Sequence, residues 1–114
     1  MRQPILPVLF LALALLGFAG CSPAPSATAE RFTVALAKGD VATAKKYCTP
    51  STAQMLDFAV SMGAVQAQPD FKFVVTEQKI DGNRATVRFK DDKGKEEKID
   101  LVKIDGRWQV EARK

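Results

Sequence analysis

Histidine is absent from the chain, and tryptophan, tyrosine and cysteine are rare, with one, one and two copies respectively. Without histidine, a Ser-His-Asp triad, a Cys-His pair and most zinc sites cannot be assembled within the chain. The sequence also lacks a glycine-rich phosphate loop of the GxGxxG or GxxxxGK type. No metal and no cofactor are therefore expected, and acid–base chemistry would depend on carboxylates and on the single tyrosine, Tyr47.

A strong excess of one charge is also missing. The 17 basic and 13 acidic side chains give a formal net charge of +4. The two signs alternate from Asp91 to Lys98, whereas a nucleic-acid-binding surface would cluster Lys and Arg on one face. Nucleic acid is therefore not an expected partner.

The N-terminal segment has the layout of a bacterial export signal. Arg2 is followed by an uncharged, Leu-rich run over residues 5–19, which ends at Gly20 and Cys21. A helix that spans a bilayer requires about 20 apolar residues. This run is shorter, contains Pro7 and ends without a basic stop-transfer cluster, so a cleaved signal is favoured over a permanent transmembrane anchor.

The residues Phe18-Ala19-Gly20-Cys21 resemble the lipobox of bacterial lipoproteins. The resemblance implies cleavage before Cys21 and acylation of that cysteine, which would hold the protein on a membrane because two or more acyl chains anchor stably. Ser22 at the next position resembles outer-membrane sorting, so we expect an envelope protein that faces the periplasm from the outer membrane. The alternative cleavage site, Ala27-Thr28-Ala29, lies about ten residues beyond the apolar run, a spacing that is long for an ordinary signal peptidase.

We therefore divide the chain into a signal peptide over 1–20, a lipidated Cys21 with a tether that ends at residue 28, and one domain over 29–114. Removing 20 of the 114 residues leaves 94, enough for a single small core. The Pro-containing segment Ser22–Thr28 is expected to be extended and to span roughly 20 Å. With Cys21 acylated, Cys48 has no partner for an internal disulfide.

Helical spacing predicts three short helices at the start of the domain. The first begins at Ala29 and stops at Gly39, and Asp40 is placed to cap the second. In the second helix Val41, Ala44 and Cys48 share the inward stripe, so a buried, inert Cys48 thiol is favoured over a reactive one.

The third helix is predicted to begin with Thr49 as its cap and Pro50 at its first position. Its inward stripe is expected to hold Met55, Phe58, Ala59 and Met62, and Gly63 is expected to end it. Asp57 falls on a different face, which we interpret as solvated.

An alternation of period two predicts four antiparallel strands after the helices. The first is expected to begin at Phe71 and reach Ile80, and Asp81-Gly82 and Asp105-Gly106 are hairpin signals. The second alternates with Ala85, Val87 and Phe89 inward. In the third strand, the apolar pattern changes phase between Leu101 and Val102, which predicts a bulge or bend. In the last strand, Trp108 is expected to pack on the face covered by the helices. The fold class is therefore α+β, with short helices packed on an antiparallel sheet of about four strands.

A second resemblance covers most of the domain. The run Phe32–Pro50, the strand Ala85–Val87, the segment 99–103 and the closing strand Gly106–Val110 are similar to small bacterial lipoproteins of the domain-of-unknown-function 4878 family. The resemblance implies a nuclear transport factor 2-like fold, in which a curved sheet wraps as a cone around N-terminal helices and leaves a cavity. Some members of that superfamily carry a lumazine-binding label.

Two functions of different classes remain. A membrane-anchored binding module would need an apolar cavity with a few polar groups, for a small apolar ligand, or an exposed apolar surface, for an envelope protein. The candidate ligand contacts are Tyr47, Thr76 and Gln78. The competing interpretations are that Tyr47 packs in the core and that Thr76 and Gln78 belong to an edge strand. A cone-fold isomerase or dehydratase would need a desolvated carboxylate near Tyr47. Since no acidic residue is expected to face the core, we favour a non-catalytic binding module.

Overall fold

Residues 23–112 are described by a computed structural model of the protein. They form three helices followed by a four-stranded antiparallel sheet, which confirms the predicted α+β class. The elements are α1 (Pro25–Ala37), α2 (Val41–Ala44) with a 3₁₀ turn (Lys45–Tyr47), α3 (Pro50–Ser61), β1 (Val74–Asp81), β2 (Arg84–Lys90), β3 (Glu96–Ile104) and β4 (Arg107–Val110). The predicted signal peptide and the predicted lipidation site, Cys21, lie outside the described residues.

The first helix begins four residues earlier than the sequence predicts. Pro25 occupies its first turn, where the missing N–H costs no hydrogen bond, and Pro25 and Thr28 are both buried. The expected extended tether over Ser22–Thr28 is therefore wrong from Pro25 onward, and the folded unit starts at that residue rather than at 29. The side chains of the first helical turn gain more by packing on the domain than by remaining solvated.

The helix ends confirm the predicted caps. Gly39 has a positive φ of 77°, and the N–H of Asp40 donates to the carbonyl of Ala35 at 2.8 Å, as in a Schellman termination. The Asp40 carboxylate then caps α2 by accepting from the Thr43 N–H at 3.2 Å and from its hydroxyl at 2.6 Å. These hydrogen bonds hold the pKa of Asp40 below its usual value.

The sheet is a meander in the order β1-β2-β3-β4. Two-residue turns close the first and last hairpins, and in the last one Asp105 and Gly106 both have positive φ, as a type I′ turn requires. The N–H of Lys103 donates to the carbonyl of Asn83 at 2.7 Å. These two hairpin turns therefore lie side by side at one end of the sheet, while the β2–β3 turn lies at the other.

The bulge predicted in β3 is wrong. The β3 register with β2 and β4 is continuous, and the irregularity lies instead in β1, between Val75 and Glu77. Because alternate residues of a strand face opposite sides, Val102 and Ile104 face away from the helices. The apolar pattern changed phase there because these two residues occupy the other face of an uninterrupted strand.

The core lies between α1 and the inner face of the sheet. Ala85, Val87 and Phe89 of β2 are buried as predicted, and Leu101 of β3 lies opposite Ala85. Trp108 is 8% exposed and belongs to the core cluster, which confirms its predicted packing. The other members are Ala29, Phe32, Ala35, Ala44, Cys48 and Val110.

The third helix turns a different face toward the domain than the sequence predicts. Thr52 is buried and Leu56 packs against the core, whereas Met55, Phe58 and Met62 are 46%, 65% and 68% exposed. The predicted inward stripe of Met55, Phe58 and Met62 is therefore wrong. The helix is apolar on more than one side, so spacing alone does not decide which stripe packs.

Candidate functional site

The structure does not bring the three predicted ligand contacts together. Thr76, at the β1 bulge, donates to the carboxylate of Glu96 at 3.1 Å. Gln78 accepts a hydrogen bond from the N–H of Ser26 at 2.8 Å, so its side chain satisfies the N-terminus of α1. Only Tyr47 lines a depression. Thr76 and Gln78 thus have structural partners, and the candidacy of Tyr47 stays a prediction.

The Tyr47 depression is open and is partly lined by charged side chains. It has a volume of about 520 Å³, and Glu30, Arg31, Lys38 and Asp40 contribute to its wall. All four of these charged side chains are exposed. Solvent therefore screens them, and the depression lacks the desolvated setting that would raise a carboxyl pKa.

A larger and more apolar groove lies between α1, α3 and the last two strands. Its volume is about 790 Å³, and we call it the apolar groove. Its apolar walls are formed by Phe32, Leu36, Met55, Leu56, Ile99 and Val110. The polar groups of the lining come from Thr52, Lys98, Asp100 and Glu111. This composition, mostly apolar with a small number of polar groups, is typical of a binding site.

One wall of the apolar groove is an open strand edge. Strand β4 pairs with β3 only from Leu101 to Ile104, so β3 residues 96–99 have no strand partner on the groove side among the described residues. The Asp100 carbonyl accepts from the N–H of Glu111 at 2.9 Å. Because the backbone groups of alternate residues point to the same edge, the N–H and C=O of Lys98 also point into the groove.

The opposite wall is the apolar side of α3. Met55 lines the groove, and Phe58 and Met62 continue the same stripe beyond it at spacings of three and seven residues. These side chains are largely exposed. Contiguous apolar side chains on the solvent-facing side of a helix indicate an interaction site.

The third helix is attached to the domain mainly through its first turn. The buried hydroxyl of Thr52 accepts from the N–H of Ala112 at 3.0 Å and lies 2.8 Å from the hydroxyl of Thr49, the predicted cap. Further along, Lys45 forms an ion pair with Asp57 at 2.9 Å, so the predicted solvated face carries one exposed salt bridge. This attachment leaves the apolar side of the helix uncovered.

Two acidic residues, Asp100 and Glu111, line the apolar groove and are half-buried, whereas Cys48 is not part of its wall. Cys48 is buried, as predicted, and its thiol donates to the carbonyl of Lys45 at 3.7 Å. Burial raises the pKa of this thiol, with an opposing effect from the charge of Lys45. None of the acidic side chains between residues 23 and 112 is buried, and this part of the chain contains no cluster of three potential metal ligands.

The sequence of α3 contains a signal for the groove that its polar residues do not give. Six apolar residues fall between positions 55 and 62, more than one helical stripe of that length can bury: Met55, Leu56, Phe58, Ala59, Val60 and Met62. An excess of this kind means that some apolar side chains stay exposed. Of these six residues, Met55, Leu56 and Ala59 line the apolar groove, whereas Phe58, Val60 and Met62 are not part of its wall.

No protein-family model, curated protein or solved structure matches the chain. Within residues 23–112, none of the helices has the length and apolar character needed to cross a bilayer. The apolar groove and the sequence that precedes the domain are therefore the features that bear on function.

Proposed function

We propose that the protein is a membrane-anchored bacterial envelope lipoprotein, held by lipid on Cys21 and facing the periplasm, and that its domain is a non-catalytic binding module. The signal-like segment and the lipobox-like residues before Ser22 support the anchor. The uncovered apolar groove supports the binding role. We also propose, from the residues that resemble it, that the chain belongs to the 4878 family and shares its nuclear transport factor 2-like fold.

The groove best suits an extended, apolar segment of another envelope protein. The observation that carries this proposal is the pairing of an open strand edge at residues 96–99 with the apolar side of α3. A segment added beside β3 would form main-chain hydrogen bonds with Lys98, while its alternate side chains would contact Met55 and Leu56. This is the strand-addition mode of peptide recognition.

A small apolar ligand is the second candidate. The groove volume of about 790 Å³ falls in the range of roughly 300–1,000 Å³ that ligand sites occupy. The open mouth of the groove would leave much of such a ligand in contact with water, which favours the peptide. An enzyme of the isomerase or dehydratase type is less favoured, because the acidic groups near Tyr47 are exposed.

Site-specific photo-crosslinking in cells tests the proposal. A benzophenone amino acid at Met55 is expected to give a discrete protein adduct, because that position lines the groove. The same probe at Val74, which is 56% exposed on the far face of β1, is the control. A lipid or small-molecule adduct would identify the second candidate instead, and equal labelling at both positions would refute a groove-specific partner.

The strand-addition mode has its own matched pair of variants. Lys98→Pro removes the N–H that points into the groove and should abolish the Met55 adduct, since proline is tolerated where a strand edge is open. Lys98→Ala removes the charge and keeps the N–H, so the adduct should persist. Loss of the adduct in both variants would indicate that the lysine side chain, rather than the backbone, holds the partner.

A further inference from the structure

A small basic depression lies where the described chain begins. It has a volume of about 200 Å³ and is lined by Pro23, Arg31, Lys46, Tyr47, Arg107 and Trp108, together with Thr28 and Gln109. We call it the basic pocket. Three of its lining residues are cationic and none is acidic.

One cation of the basic pocket has an acidic neighbour, because the charge of Lys46 contributes to the lowered pKa of Asp40. Arg31, Lys46 and Arg107 are exposed, and none of them is within salt-bridge distance of an acidic group in the described part of the chain. A fourth cation lies next to them, since the Lys103 ammonium is 5.6 Å from the centre of the Trp108 ring. The pocket therefore presents concentrated positive charge beside an aromatic wall.

The position of the basic pocket relative to the lipid is fixed by the chain. Pro23, in its wall, follows Cys21 by two residues, and two residues span at most about 7 Å. With acyl chains on Cys21 in the bilayer, this depression lies at the level of the lipid headgroups. The headgroups of anionic phospholipids carry the phosphate that Arg and Lys bind.

We propose that the basic pocket docks onto the membrane by binding the phosphates of anionic phospholipid headgroups, which orients the domain on the bilayer. The proposal depends on the lipid anchor of the proposed function and adds a contact that the anchor does not require. Aromatic side chains such as Tyr47 and Trp108 are common at the interface between membrane and water. Each basic side chain near an anionic surface shifts a docking equilibrium by about fivefold, so three shift it by on the order of a hundredfold.

The test uses the lipidated mature protein, purified and inserted into phosphatidylcholine vesicles with or without phosphatidylglycerol. Trp108 is the only tryptophan and forms part of the pocket wall, so its fluorescence reports docking. A nitroxide attached to the headgroup of a tracer lipid should quench Trp108 strongly in the vesicles that contain phosphatidylglycerol and weakly in those that do not. High salt should remove the difference, because it screens exposed charges.

Charge variants show which residues are responsible. The combined replacement Arg31→Gln, Lys46→Gln and Arg107→Gln should abolish the quenching in anionic vesicles. The control combination Lys72→Gln, Lys90→Gln and Lys93→Gln removes the same charge from exposed positions near the opposite end of the sheet and should quench like the wild type.

The outcomes separate the anchor from the docking contact. Equal quenching of the wild-type protein in both vesicle types would overturn the docking proposal, and so would equal quenching of the two combined variants. The comparison of vesicle types uses the wild-type protein, so it remains valid even if a variant is unstable. Failure of the protein to insert into either vesicle would instead contradict the lipid anchor of the proposed function and, with it, the docking contact. Insertion without quenching would refute the basic pocket alone.

Discussion

Two phenylalanines of this domain lie in opposite environments and allow a matched test of the core. Phe89 of β2 is 3% exposed and stacks on Phe73 with ring centroids 4.3 Å apart, whereas Phe58 of α3 is 65% exposed. Phe89→Ala is expected to cost about 3–5 kcal/mol, from lost burial and the cavity left behind, including the stacking contact. Phe58→Ala removes the same atoms from a solvated position and should change stability by no more than about 0.5 kcal/mol.

Urea unfolding followed by circular dichroism measures both free energies of unfolding. In a domain of this size each kcal/mol moves the melting temperature by roughly 4–8 °C, so thermal melts should separate the two variants clearly. Equal losses for Phe89→Ala and Phe58→Ala would refute the reasoning. It would mean either that α3 packs as the sequence predicted or that β2 does not face the core.

Four further predictions concern single residues. Cys21→Ala should yield an unprocessed or soluble protein, and an unmodified Cys21 in the intact mass of the native form would contradict lipidation. Cys48 should resist thiol reagents until the domain is unfolded. Because folding raises the pKa of this thiol, its contribution to stability is present below the usual thiol pKa and is lost as the pH rises through the folded-state value. Cys48→Ala should abolish that pH-dependent loss of stability. Asp40→Ala should destabilise the domain at neutral pH, and the gap in melting temperature should close as the pH falls through the lowered folded-state pKa of Asp40. Thr52→Val should lower the free energy of unfolding in urea by about 1–3 kcal/mol, because it leaves the N–H of Ala112 without its acceptor. Thr76→Val, at an exposed position, should lower it far less.

The local parts of the fold could be predicted because local chemistry determines them. Gly39, Asp40 and Thr49 mark helix ends through backbone conformation and capping, which depend on neighbouring residues only. The alternation of β2 and the Asp105-Gly106 turn are similarly explicit in the sequence. These features led to the correct fold class.

The errors occurred where tertiary contacts decide between local alternatives. The residues around Pro25 can be extended or helical, and packing selects the helix. In β3, Val102 and Ile104 interrupt the alternation of apolar residues, and the sequence does not tell which face of the strand is covered. In the same way α3 has two apolar sides, and only its attachment through Thr52 shows which one is left open.

The candidate site was harder to predict than the fold for a related reason. Thr76 and Gln78 lie on a face that the sequence predicts to be buried, but β1 is an exposed edge strand. Thr76 donates to Glu96, and Gln78 accepts from the N–H of Ser26. The apolar groove depends instead on β4 being shorter than β3 and on which side of α3 packs against the core. Neither property is encoded in the spacing of any one segment.

The first helix connects the two proposed binding surfaces and keeps them apart. Thr28 and Arg31, in its first half, belong to the basic pocket, while Phe32 and Leu36, in its second half, belong to the apolar groove. A helix of 13 residues is about 20 Å long at 1.5 Å per residue. Lipid on Cys21 would hold the first half of α1 at the bilayer, so the groove would open farther from the surface, where a segment of another envelope protein can reach it. Membrane docking and partner binding therefore do not compete for the same side chains, and both can be occupied at once.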